Sequence, residues 1–207
     1  MLGPLMNKHD HPTAPARGFT LIELMVVVAL IGALVMLSGP SFKRFIDTQR
    51  LRSVNSALIT DLQFARSEAA SRNALTYVKF DGTGTSVTCY TILTGDPDLC
   101  DCNRTPGVNV CLGGAAATEI RTAQIPRSNG ISLSTPDYSS PQTIRFDPAT
   151  GGLLVRVEDD YMPPSDPFKV DISNTEVGGF RNSVAATGRP STCSPSGSIS
   201  GVTPCAP

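Results

Sequence analysis

Residues 17–23 read Arg17-Gly18-Phe19-Thr20-Leu21-Ile22-Glu23, and the chain stays apolar from there to Leu37. A basic, polar leader thus stops at a glycine, and a stretch long enough to cross a bilayer as a helix starts at a phenylalanine. Glu23 is the one ionisable side chain in that stretch. A carboxylate inside hydrocarbon costs roughly 2.5–3.5 kcal/mol on insertion scales, so it calls for a partner. Cutting between Gly18 and Phe19 would create one, a fresh α-amino group. The junction therefore points to processing followed by subunit–subunit assembly, with Glu23 steering register.

Other targeting segments fit less well. A secretory signal peptide is cut after its apolar core, at a small-x-small site. Here Ser38-Gly39-Pro40 follows the core, and proline beside a scissile bond is a poor substrate. No cysteine lies near the leader for lipid attachment. An uncleaved anchor leaves Gly18, Phe19 and Glu23 without a purpose.

The unbroken match Gly18-Phe19-Thr20-Leu21-Ile22-Glu23 resembles the type IV prepilin signature. Gly32 and Pro40 fall where pilins carry a helix-loosening glycine and a kinking proline. The stretch Leu62-Gln63-Phe64-Ala65-Arg66-Ser67-Glu68-Ala69, with Ile144-Arg145-Phe146-Asp147-Pro148 before a Gly-Gly turn and Thr187-Gly188-Arg189, resembles the GspH/FimT subgroup of minor pilins and pseudopilins. The resemblance implies removal of residues 1–18 by a prepilin peptidase and N-methylation of Phe19. It also implies a single-pass inner-membrane subunit with a periplasmic head, drawn by an assembly platform into a filament with other pilins and minor pilins. A priming or tip component of a type IV pilus comes first. A minor pseudopilin of type II secretion is the alternative.

Composition agrees. The 207 residues suffice for one membrane helix and one modest domain. Lys8 and Arg17 satisfy the positive-inside bias at the leader end. Two of the 17 basic and one of the 18 acidic side chains precede Phe19, which leaves a net charge of −2 and no excess to attract nucleic acid. Both histidines, His9 and His11, lie in the leader, so the remainder has none for a catalytic triad or a zinc site. Gly82-Thr83-Gly84 reads as a hairpin turn, lacking the helix a phosphate loop needs. We expect no enzyme activity, cofactor or metal.

All six cysteines, Cys89, Cys100, Cys102, Cys111, Cys193 and Cys205, fall after the apolar run, and an even count in an oxidising compartment argues for disulfides. The isolated Cys193 and Cys205 pair. The other four form two bridges, with Cys100 and Cys102 too close in sequence to bond each other. A four-cysteine zinc knuckle is the rival, but it lacks a Cys-x-x-Cys half.

The expected fold is α+β. A long helix over residues 19–73, membrane-spanning at 19–39 and kinked at Pro40, packs on an antiparallel β-sheet head at 74–207. The second half of the helix repeats Ile46, Leu51, Val54, Leu58, Leu62, Ala65 and Ala69 at three- and four-residue steps, a core stripe. Lys43, Asp47, Arg50, Asp61, Arg66 and Glu68 are placed on its other faces. Strands are expected at 74–80, 86–93, 119–125, 131–134, 143–146, 152–157 and 168–172, with a weaker one at 184–187. Segments 95–114, 158–167 and 190–207 read as loops. Two further readings remain. A DNA-binding minor pilin for natural transformation would use Arg189 and Arg181, but Gly188-Arg189-Pro190-Ser191 lacks the second arginine of the corresponding Gly-Arg-x-Arg element. A tip adhesin would use the cysteine loop or the tail, and neither names a ligand.

Overall fold

A computed structural model describes residues 18–105, 107–197 and 199–206, excepting the side chains of Val35 and of 37–40. Residues 1–17 of the leader, with Lys8, His9, Asp10, His11 and Arg17, lie outside the described residues. The chain forms two units, divided after Phe42.

The first unit holds the opening half of helix α1 (Leu21–Arg72). Its large apolar side chains, among them Leu21, Ile22, Leu24, Met25, Val28 and Ile31, are exposed in the single chain. The helix continues through Gly32 and Pro40; the kink expected at Pro40 falls on a residue whose side chain is not described. Among the described residues, no helix is long and apolar enough to cross a membrane. The 19–39 stretch includes side chains that are not described.

The second unit carries the rest of α1 and ten strands. Six antiparallel strands form one sheet in the order β3-β2-β1-β5-β6-β7: β1 (Thr76–Asp81), β2 (Val87–Gly95), β3 (Ala117–Pro126), β5 (Gln142–Phe146), β6 (Leu153–Val157) and β7 (Asp160–Met162). Four more form the second sheet, β10-β9-β8-β4: β4 (Ile131–Ser134), β8 (Phe168–Asn174), β9 (Gly178–Val184) and β10 (Pro190–Cys193).

Alternation decides the faces. In β1, Thr76, Val78 and Phe80 point to the core, and Tyr77 and Lys79 to the opposite face. Leu51, Leu58, Leu62, Ala65 and Ala69 of α1 meet Val78, Phe80, Ile92, Ile144, Phe146 and Val155 of one sheet and Phe168, Val170, Ile172, Phe180 and Val184 of the other. Each such burial is worth about 1.5–3 kcal/mol for a Leu- or Phe-sized side chain, so this layer dominates the stability of the unit.

Asp47 and Asp61, placed on other faces of the helix by the sequence pattern, are buried. Asp61 is accommodated because the Tyr90 hydroxyl donates to its Oδ2 (2.8 Å) and the Arg121 guanidinium to its Oδ1. Burial first, and then this bond, push the Tyr90 phenol well above the ordinary tyrosine range.

Three strands depart from the sequence reading. β7 and β10 form within segments read as loops, and β9 occupies 178–184 instead of 184–187. Each draws its order from neighbours. β7 is a three-residue edge, β9 opens on Gly178-Gly179, and β10 is tied by the Thr192 hydroxyl to Asn182 (2.8 Å) and by its terminal cysteine. The tail beyond β10 folds back: Ile199 is buried in the main core, the buried Ser194 donates to the Gly179 carbonyl, and Arg52 of α1 donates to the Ser200 carbonyl (2.6 Å).

Candidate functional site

Gly18 and Phe19 precede α1 in irregular backbone and are exposed, Phe19 to 83%. Among the described residues, a Cβ at Gly18 would meet no atom within 4 Å. The helix begins at Leu21 because Thr20 caps it. The Thr20 hydroxyl accepts from the Glu23 amide (3.3 Å), and its carbonyl accepts from Leu24 (3.2 Å). Thr20-Leu21-Ile22-Glu23 is thus the signature of a capping box, which the sequence reading passed over. Glu23 lies in the first turn, where the helix dipole favours a negative charge. Its carboxylate is exposed, with no ion pair inside the chain among the described residues.

A second constellation gathers the three scattered motifs. Arg66 of α1 donates from Nε to the Gly151 carbonyl (3.0 Å), in the turn joining β5 to β6. Gly188, in the turn joining β9 to β10, closes on the same spot. A Cβ at Gly188 would lie 2.4 Å from the Gly151 carbonyl oxygen and 3.1 Å from Arg66 Nε. Both glycines take positive φ, 64° and 77°. The first turn is set by Asp147, whose Oδ1 accepts from the Thr150 amide (2.8 Å) and hydroxyl (2.9 Å). Those bonds hold its carboxyl below the ordinary range. The Leu62–Ala69, Phe146-Asp147-Pro148 and Thr187-Gly188-Arg189 stretches therefore build one joint between helix and sheets.

The cysteines form three bridges: Cys89–Cys102, Cys100–Cys111 and Cys193–Cys205. No described group of histidine, cysteine or acidic residues is arranged to hold a metal. The first two bridges fasten a loop over the outer face of β1, β2 and β3. Lys79 donates to the carbonyls of Pro97 (3.0 Å) and Cys100 (2.9 Å), and Gln124 to those of Cys102 (2.7 Å) and Arg104 (2.6 Å). The third closes the tail.

The two arginines proposed for DNA are not brought into one site. Arg181 is held by both carboxylate oxygens of Asp171 (2.8 and 2.7 Å), which neutralises it. Arg189 is exposed and lines a cleft of about 610 Å³ with Arg66, Ser67, Thr150 and Gly151. A further cleft, of about 560 Å³, opens beside the cysteine loop between Tyr77, Asp96, Asp98, Arg156, Asp159 and Tyr161. There Arg156 grips Asp98 through two bonds (2.6 and 2.9 Å), which holds the Asp98 carboxyl below its ordinary range.

Parts of the chain are similar to known proteins. Residues 55–188 match the family described as "Type II transport protein GspH", and residues 14–39 match the "Prokaryotic N-terminal methylation motif". Over 66 residues the chain is 35% identical to "Type II secretion system protein H" of Xanthomonas campestris pv. campestris. That alignment covers 30% of this chain and 39% of the relative, so less than half of the relative's length is represented. No solved structure matches the chain.

Proposed function

The chain belongs to the GspH family of type II transport proteins, and from that premise we propose that it is a non-enzymatic minor subunit of a pilus-like filament. In this reading a prepilin peptidase cuts between Gly18 and Phe19 and the new amine is methylated. The segment from Phe19 to residue 39 spans the inner membrane until the assembly platform withdraws it. The observation that supports this most is the junction: an exposed scissile bond in irregular backbone, immediately before a Thr20-capped apolar helix, inside the residues that match the methylation motif.

Moving an apolar helix from lipid into a helix bundle gains little hydrophobic energy, since both surroundings are apolar. Polar pairing must then set register. Glu23 is free within its own chain to meet the methylated amine of a neighbouring Phe19, and in low dielectric such a pair is favourable only when both members are in place.

Between the two machines, the family description and the relative's name favour the type II secretion pseudopilus. The type IV pilus tip is the second reading, favoured by the bridged loop and tail of the head. Co-expression with a prepilin peptidase tests the common part: N-terminal sequencing should find N-methylated Phe19. A chain that still begins at Met1 with active peptidase present refutes it. Deletion separates the machines, since loss of protein secretion with normal pili supports the first, and the converse the second.

A further inference from the structure

Charge is unevenly spread along the chain, and the basic part lies next to the proposed span. Residues 40–52 hold four cations, Lys43, Arg44, Arg50 and Arg52, and a single carboxylate, Asp47. The chain after the leader is acidic as a whole. Cations on this flank run against the orientation that Lys8 and Arg17 set, because the positive-inside bias counts lysines and arginines within about 15–20 residues of a span's ends. Their presence there needs a compensating contact.

The fold supplies little of it. Arg52 is taken up by the tail, where it donates to the Ser200 carbonyl (2.6 Å). Asp47 is buried. Arg44 makes one long bond to the Glu176 backbone carbonyl (3.4 Å), which leaves the Glu176 carboxylate uninvolved. Among the described residues, neither Asp47 nor Glu176 forms an ion pair with Lys43, Arg44 or Arg50. All three of these cations are exposed. Phe45, next to Arg44, is exposed too, whereas the later described phenylalanines are buried or half-buried.

Depth decides what these side chains meet. The segment 19–39 rises about 30 Å as a helix, the thickness of the hydrocarbon core. Lys43 and Arg44 follow its last residue by four and five positions, about 6–8 Å of helical rise. The headgroup layer is about 5–7 Å deep on each side, so the reach of a lysine or arginine side chain ends among phosphates. Arg50 lies about 10 Å further along α1 than Lys43, beyond that layer.

From this placement we propose that Lys43 and Arg44 bind the headgroup of an anionic phospholipid in the periplasmic leaflet, with Phe45 adding apolar contact at the acyl boundary. The proposal rests on the membrane-anchored reading above. Both side chains donate charge-assisted hydrogen bonds to phosphate oxygens, and the arginine fork can give two in parallel. A zwitterionic lipid offers the same phosphate but brings its own cation, so the site favours a headgroup with net negative charge. The contact belongs to the waiting subunit and is given up when the assembly platform withdraws the segment.

The test uses the full, processed chain in phosphatidylcholine vesicles with a trace of phosphatidylglycerol that carries a diazirine in its headgroup. Light expels nitrogen, and the carbene inserts into whatever it touches. Mass spectrometry should place the adduct within residues 40–52. Unlabelled phosphatidylglycerol should displace the label several-fold better than added phosphatidylcholine, and 1 M salt should erase that preference. A cation near an anionic surface counts for about fivefold in association, so Lys43→Gln with Arg44→Gln should cut the yield on the order of 25-fold. Arg50→Gln, the same loss of charge outside the headgroup layer, should cut it less than about twofold. All these substitutions are at exposed side chains, and near-ultraviolet circular dichroism checks that the variants fold. The idea is overturned if the adduct lies elsewhere, if the two lipids compete equally, or if Arg50→Gln matches the double variant. It is equally overturned if soluble glycerol phosphate competes as well as the lipid, for then the ligand is a free anion. Alkaline carbonate extraction reads the anchor separately. Protein that stays in the membrane without lipid preference defeats this proposal alone, and protein released by carbonate defeats the anchored reading together with it.

Discussion

Gly188→Ala probes the joint at Arg66 with one methyl group. Gly188 has φ 77°, and the new Cβ would meet the Gly151 carbonyl oxygen at 2.4 Å, a backbone atom with no rotamer by which to move away. Left-handed backbone costs a non-glycine residue about 1–2 kcal/mol. Relieving the contact must also stretch the Arg66–Gly151 bond, itself worth about 1.5–3 kcal/mol as a charged hydrogen bond. The total is roughly 2.5–5 kcal/mol. For a unit of this size about 2–4 °C of melting temperature is lost per kcal/mol, so a fall on the order of 5–20 °C is expected. Gly201 supplies the control. It has the same φ, 77°, yet among the described residues a Cβ there meets nothing within 4 Å. Gly201→Ala should therefore lose only the backbone part, about 1–2 kcal/mol. Thermal unfolding of the two variants in detergent, followed by near-ultraviolet circular dichroism, measures the difference. Equal shifts would refute the steric argument and with it the joint.

Glu23→Ala should be processed normally yet enter filaments poorly; normal incorporation, judged by shearing and immunoblotting, would remove the register role. Replacing Cys193 and Cys205 together by serine should cost about 2–5 kcal/mol and raise protease sensitivity, because the loop they close carries Ile199 into the core; unchanged protease resistance would contradict this. Tyr90 is buried and hydrogen-bonded to Asp61, so its folded pKa is raised. For a raised pKa the stabilisation is whole below the unfolded value, about 10, and is lost progressively as pH rises from there through the folded one. Tyrosinate absorbance should therefore rise late for Tyr90 and also for Tyr161, whose pKa burial pushes up to about 12, and Tyr90→Phe should shrink that late rise by one tyrosine; an unchanged amplitude would contradict the burial of Tyr90.

How much of this was legible differed with the kind of signal. The helix and seven strands were readable because apolar periodicity is local: Leu51, Leu58 and Leu62 announce a helical stripe, Val78 and Phe80 an alternating strand. β7, β9 and β10 were not, because Asp160-Tyr161-Met162 and Pro190-Ser191-Thr192 owe their extension to partners distant in sequence. The buried Asp61 was misplaced for a related reason, since its partners Tyr90 and Arg121 come from β2 and β3. At the N-terminal junction Gly18 and Glu23 were plain in the sequence, and Thr20, spaced three before Glu23, carried a capping signal as local as theirs. Arg66, Gly151 and Gly188 were visible as motif fragments, and only the fold explains why they belong together.

The burial of Ile199 has a consequence for how the protein is made. A head whose segment 194–205 has not yet docked lacks one core side chain, the backbone acceptor for Arg52 and a covalent staple. Maturation is therefore gated by the docking of that segment and the oxidation of Cys193 and Cys205, and a product broken upstream of it carries an open seam for quality-control proteases to grip.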